Sequence, residues 1–144
     1  RDVKSRIALD NAVSALLTLA KEKPALCPQD VQAWEVVISR LPLREDVEEA
    51  KKVHETVIDL VLEDHPGLLG GPSRQNLGKV LSVLAEVYHV EAICKREMEE
   101  KILKVFRSLP VEVLKGLASG FTEKQQKKIE KMLSGDAAVA SHGG

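Results

Sequence analysis

Apolar residues recur at helical spacing along almost the whole chain. Leu9, Ala12, Val13, Leu16, Leu19 and Ala20 predict a first helix, which stops at Lys23-Pro24. Pro28 can open a second segment, where Val31, Trp34, Ile38 and Leu41 form a narrow stripe that ends at Leu41-Pro42. Glu45 and Asp46 suit the positive N-terminal end of a third helix. Its buried face is Ala50, Val53, Val57, Leu60 and Val61, and Asp64-His65-Pro66-Gly67 breaks it. The prolines and glycines between His65 and Ser73 predict a loop, after which Ser73 reads as the N-cap of a fourth helix through Leu77, Val80, Leu81, Leu84, Val87 and Tyr88. A fifth stripe runs through Cys94, Met98, Ile102, Val105 and Phe106 to Leu109-Pro110. Val111, Val113, Leu114 and Leu117 predict a short sixth helix closed at Ser119-Gly120. Thr122 with Gln125 forms a capping box for the seventh, whose apolar face is Ile129, Met132 and Leu133.

No segment alternates with the period of a strand, so the expected fold is all-α with about seven helices. Helices one, three, five and seven begin near Ser5, Glu45, Ile93 and Thr122. A helix pair about every 40 residues is the signature of a HEAT or armadillo-type solenoid, in which stacked antiparallel helix pairs bury faces that no pair buries alone. A closed helical bundle accommodates the same stripes. Residues 1–134 form the expected repeat array and 135–144, small and polar, a disordered tail. The chain starts at Arg1 and enters a helical pattern at once, which suggests a piece of something longer.

Composition narrows the class. The 144 residues are 44% hydrophobic, 30% charged and 3% aromatic, which excludes a collagen, a disulfide scaffold and a mostly disordered chain. The longest near-apolar run, Ala12 to Ala20, falls short of the roughly 20 residues that cross a bilayer, so no membrane insertion is expected. Arg1, Lys4 and Arg6 precede an apolar stretch, but Asp10 and Asn11 interrupt it and exclude a signal peptide. With 21 Lys and Arg against 22 Asp and Glu, the net charge of −1 gives no general attraction to a phosphate backbone, and no direct nucleic-acid partner is expected. Cys27 and Cys94 lack CxxC or His-spaced partners and read as reduced thiols packed as small hydrophobes.

Chemistry-bearing residues are sparse. His54, His65, His89 and His142 stand in no metal-ligand pattern, so no metal and no cofactor is expected. His54 beside Glu55 lacks an announced nucleophile and reads as a surface or half-buried histidine. Gly70-Gly71-Pro72-Ser73 lacks the Gly-Lys-Ser/Thr of a phosphate loop and reads as an interhelical turn. The expectation is therefore a protein that is not an enzyme. Charge is unevenly placed, with eight acids against three bases from Arg44 to Asp64 and ten bases against six acids from Ile93 to Ser134. Glu48, Glu55, Asp59 and Glu63 fall near one edge of the third helix, an acidic stripe suited to a basic partner. A solvated face, partly neutralised by Glu48 with Lys52, accounts for the same residues. Lys124, Lys127, Lys128 and Lys131 on the last helix read as the polar outer face of a terminal repeat.

Several segments in series resemble one family. Asp10-Asn11-Ala12, Leu41-Pro42-Leu43 with Glu45-Asp46, and Glu48-Glu49-Ala50 are similar to the C-terminal HEAT repeats of the karyopherin-beta (importin-beta) nuclear transport receptors. His65-Pro66, Leu68-Leu69-Gly70, Pro72, Asn76-Leu77, Lys79-Val80 and Ala85-Glu86 resemble the loop and helix that follow in the importin-beta-three branch. Phe121-Thr122-Glu123-Lys124-Gln125-Gln126 with Ile129 resembles that branch's last helix. The likeness runs from about Lys4 to Leu133; Gly78, where the family usually has proline, and Gly71 depart from it. It implies that 1–134 are the C-terminal repeats of a longer carrier that shuttles between cytoplasm and nucleus. Such a carrier binds cargo proteins, often basic, together with nucleoporins and the GTPase Ran, whose main binding surface lies in N-terminal repeats outside this chain. It transfers no single binding residue. The acidic stripe Glu48, Glu55, Asp59 and Glu63 is the expected cargo-binding set. A HEAT scaffold organising a multiprotein complex is the alternative.

Overall fold

A computed structural model describes residues 2–27 and 32–134. Among them there is no strand: the fold is all-helical, with α1 (Val3–Glu22), α2 (Ala33–Ser39), α3 (Val47–Leu62), α4 (Pro66–Leu69), α5 (Leu77–Val87), α6 (Arg96–Ser108), α7 (Val111–Leu117) and α8 (Glu123–Ser134). Single 3-10 turns follow α1 at Pro24–Leu26 and α7 at Ala118–Gly120. The helices starting nearest the four recurring positions, α1, α3, α6 and α8, pack in sequence order: α1 on α3, α3 on α6, α6 on α8. α2 packs on α1 and α4, and α5 on α8 and on the 3-10 turn after α7. One continuous core runs through all of them, from Val13 and Leu17 past Val57, Leu84 and Ile102 to Phe106 and Met132.

The element boundaries follow local chemistry. Asp2 caps α1 by accepting the Ser5 N–H at 2.8 Å, and Asp46 caps α3 by accepting that of Glu49 at 3.2 Å. The capping box at α8 is formed in both directions: Gln125 N–H donates to Thr122 Oγ1 at 3.1 Å and Thr122 N–H to Gln125 Oε1 at 2.9 Å.

Four expectations are corrected. The loop from His65 to Ser73 contains a full helical turn, α4, because Pro66 is preset for the first helical position and His65 Nδ1 accepts from Gly67 and Leu68 N–H at 3.1 and 3.3 Å. Ser73 caps nothing; α5 starts at Leu77, since the chain first turns through Gly70 and Gly71, both at positive φ, and Asn76 Nδ2 then ties back to the Leu68 carbonyl at 3.2 Å. Cys94 and Ile93 lie ahead of α6 rather than on it, buried in the turn that hydrogen-bonds to Val90. The described residues hold eight α-helices rather than seven. Pro28 and Val31, expected to open the second helix, and the tail from 135 to 144 lie outside the described residues. Within α2 the buried positions are Ala33, Val37 and Ile38, while Trp34 is half-buried against His65, ring centroids 5.2 Å apart.

Candidate functional site

α3 supplies the acidic edge. Its inward face, Ala50, Val53, His54, Val57, Ile58 and Leu60, is buried, which turns Glu48, Glu55 and Asp59 outward at the expected spacing; Glu63 is exposed at the helix C-cap. The four acids thus share one edge of the helix. Their cation partners differ from the expected ones. Glu48 pairs with Lys51 at 3.3 Å rather than with Lys52, which reaches Glu49 at 3.5 Å. Lys101 on α6 reaches Asp59 at 3.0 Å and Glu55 at 3.5 Å, and its hydrogen bond to Asp59 holds the ammonium pKa above its ordinary value. The edge therefore runs from a highly exposed Glu48, 82% accessible at its side chain, to a central pair shared with one lysine.

The last turn of α3 carries no base, so Asp59 and Glu63 stand at the negative end of the helix dipole. Arg74 pairs with neighbouring Asp64 at 2.9 Å.

A second polar cluster joins α1 to the start of α3. Asp10, on the buried stripe of α1, accepts from the backbone N–H groups of Glu45 and Asp46 at 2.9 and 3.0 Å. Asn11 Nδ2 donates to Asp46 at 3.2 Å, Ser14 Oγ to Glu49 at 2.6 Å, and Arg6 pairs with Glu45 at 2.6 Å. These contacts lay outside the sequence-based expectations for the acidic region, although an acid at position 10 in step with Val13, Leu17 and Ala20 is a legible signal.

The histidines are absorbed by the fold. His54 is fully buried, contrary to the expectation of a surface or half-buried ring, because it lies one helical turn from both Ala50 and Ile58 on the inward stripe. Its Nε2 accepts the Leu43 N–H at 3.0 Å, and burial pushes its pKa down to about 4. His89, at positive φ between α5 and α6, meets Glu99 at 2.5 Å. His142 lies outside the described residues. Among the described residues no group of His, Cys, Asp and Glu is arranged to hold a metal ion, and no helix is long and apolar enough to cross a membrane. Cys94 is buried and free, its thiol pushed up to about 11 by burial, which keeps it protonated; Cys27 is half-buried and free.

No family model matches the sequence, and no solved structure matches the fold.

The basic end of the chain is partly structural. Lys128 donates to the carbonyls of Glu86 and Tyr88 at 3.1 and 2.7 Å, closing the end of α5, and burial lowers its pKa. Arg107 Nε donates to the Met132 carbonyl at 3.0 Å. Lys124, Lys127 and Lys131 remain on the exposed face of α8. A groove of about 740 Å³ lies between α2, α5 and the Gly116–Gly120 segment, with Ile38, Leu41 and Val83 among its lining residues.

Proposed function

We propose that this chain is the C-terminal part of an importin-beta-type nuclear transport receptor, a HEAT-repeat solenoid that binds basic cargo proteins along the acidic edge of α3. The observation that carries the reading is the asymmetry of the helical stack. The outer side of α1 exposes Ala8, Ala12 and Ala15 among Lys4, Asn11 and Thr18, with Leu9 and Leu19 half-exposed, whereas α8 exposes Lys124, Lys127, Glu130 and Lys131 beside Leu133. The more apolar end suits a further repeat stacked upstream, and the more charged end suits a terminal cap. The residues that carry the family resemblance also support it, because Asp10, Leu43, His65, Gly70 and Asn76 hold the joints between helices.

Acids at the C-terminal end of a helix oppose its dipole, so Asp59 and Glu63 are poor choices for a face that only needs wetting. A cation brought by a Lys/Arg-rich segment offsets that cost. Ran and nucleoporins engage the full-length receptor in this reading, which moves between cytoplasm and nucleus and performs no catalysis. One observation favours the alternative, a HEAT scaffold within a fixed complex: Lys101 already neutralises the centre of the edge.

Replacing the edge as Glu48→Gln, Glu55→Gln, Asp59→Asn and Glu63→Gln separates the two. In the carrier reading the quadruple variant binds a Lys/Arg-rich localisation peptide at least tenfold more weakly, the equivalent of about 1.4 kcal/mol, and loses most of the salt dependence. Unchanged affinity and an unchanged salt slope in fluorescence anisotropy leave the edge as a solvated face.

A further inference from the structure

The second half of the segment joining α2 to α3 gives its N–H groups to side-chain acceptors from its neighbours. Asp10 on α1 takes the N–H groups of Glu45 and Asp46, and His54 on α3 takes that of Leu43. Leu43 is itself buried, and between these anchors Arg44 reaches across to Glu86 on α5 at 3.6 Å. The His54 ring has no exposure, and its other nitrogen, Nδ1, is buried without a hydrogen-bond partner among the described residues.

A ring nitrogen that accepts an amide hydrogen carries no proton of its own, so the neutral ring bears its hydrogen on Nδ1. Protonating Nε2 would turn the acceptor into a donor facing another donor, inside a site that also disfavours charge. We propose that His54 is a proton-sensitive latch: neutral, it locks the α2–α3 segment onto α3 through Leu43, and a proton on its ring releases Leu43 from α3.

The charged groups facing the ring are Arg44, from the segment itself, and Asp10, from α1. Burial is the larger influence and Arg44 adds to it, both opposing the imidazolium, while the Asp10 carboxylate favours it. The balance leaves the closed-state pKa at about 4, against 6.5 for a free ring. The sign follows. An opened segment hydrates the ring, which then takes up a proton below 6.5, whereas the closed segment refuses one until about 4. The latch is at full strength above pH 6.5 and weakens as pH falls toward 4.

Amide hydrogen exchange of the 144-residue chain tests this at the atom concerned. Between pH 6.5 and 4.5 the protection factor of the Leu43 amide, corrected for intrinsic exchange, falls about tenfold per pH unit, while amides of α6 hold theirs. His54→Gln, whose side-chain oxygen accepts the same hydrogen without titrating, keeps Leu43 protected and flattens the profile. A flat wild-type profile, or the same slope in His54→Gln, overturns the latch and assigns the response to carboxylates. Should that variant lose the local structure, the wild-type ring decides alone. Ring nitrogen shifts that keep the proton on Nδ1 down to pH 5 support the latch; a ring that titrates near 6.5 with Leu43 still protected refutes it.

Discussion

Two buried polar side chains, Asp10 and His54, tie the segment between α2 and α3 to the helices beside it. Each sits on an otherwise apolar stripe, and each ends on backbone N–H groups of the same segment. Asp10→Ala leaves two amides of Glu45 and Asp46 without their acceptor, at a cost of about 1–3 kcal/mol for each that stays buried. The expected loss is roughly 2–6 kcal/mol in urea-induced unfolding. Asp10→Asn retains one acceptor oxygen and is expected to lose less than half of that. Equal losses for the two variants would mean that the negative charge, rather than the pair of hydrogen bonds, holds the joint. In the sequence Asp10 registers as a break in an apolar run and His54 as a surface or half-buried ring, neither as a buried joint. What they bond to left no trace there, because Leu43 and Glu45 are backbone donors, and every residue except proline offers one.

At the scale of elements, the hydrophobic period located the long helices, and cap chemistry located some of their ends. The seventh predicted helix opens on Thr122 and Gln125 as its capping box requires. Gln125 does more than cap: it accepts from Ser82 at 3.0 Å and donates to Glu86 at 3.2 Å, tying α8 to α5. Thr122→Ala is expected to cost about 1 kcal/mol, as a lost cap does. Gln125→Ala should cost about 2–3 kcal/mol, since cap and cross-helix bonds disappear together. In a double-mutant cycle by thermal unfolding, the pair should fall short of additivity by about 1 kcal/mol; strict additivity would show that the box is not a unit. Where the expected ends failed, a longer-range contact decided. Ser73 has the right chemistry for an N-cap, but the tie from Asn76 to Leu68 turns the chain three residues further before α5 begins. The acidic edge followed directly from spacing, whereas its pairing with Lys101 joins residues 42 positions apart and left no local trace.

The whole molecule is a sequential stack whose two ends differ. α1 exposes three alanines among polar residues and α8 exposes three lysines beside Leu133, the asymmetry on which the proposal of a longer solenoid rests. The recurrence of helix starts picked out the helices that pack in the order α1, α3, α6, α8, an order that a stacked array accommodates. Function rests on a further step, from an acidic edge in a repeat array to a carrier of basic proteins. The most direct test of that step is recovery from cell extract of the receptor proposed to carry this chain, with and without GTP-locked Ran, with its bound proteins identified by mass spectrometry. The carrier account predicts basic nuclear proteins that bind it and leave when Ran-GTP is added. A bound set that stays constant, indifferent to Ran-GTP, would contradict it and make this chain part of a fixed scaffold.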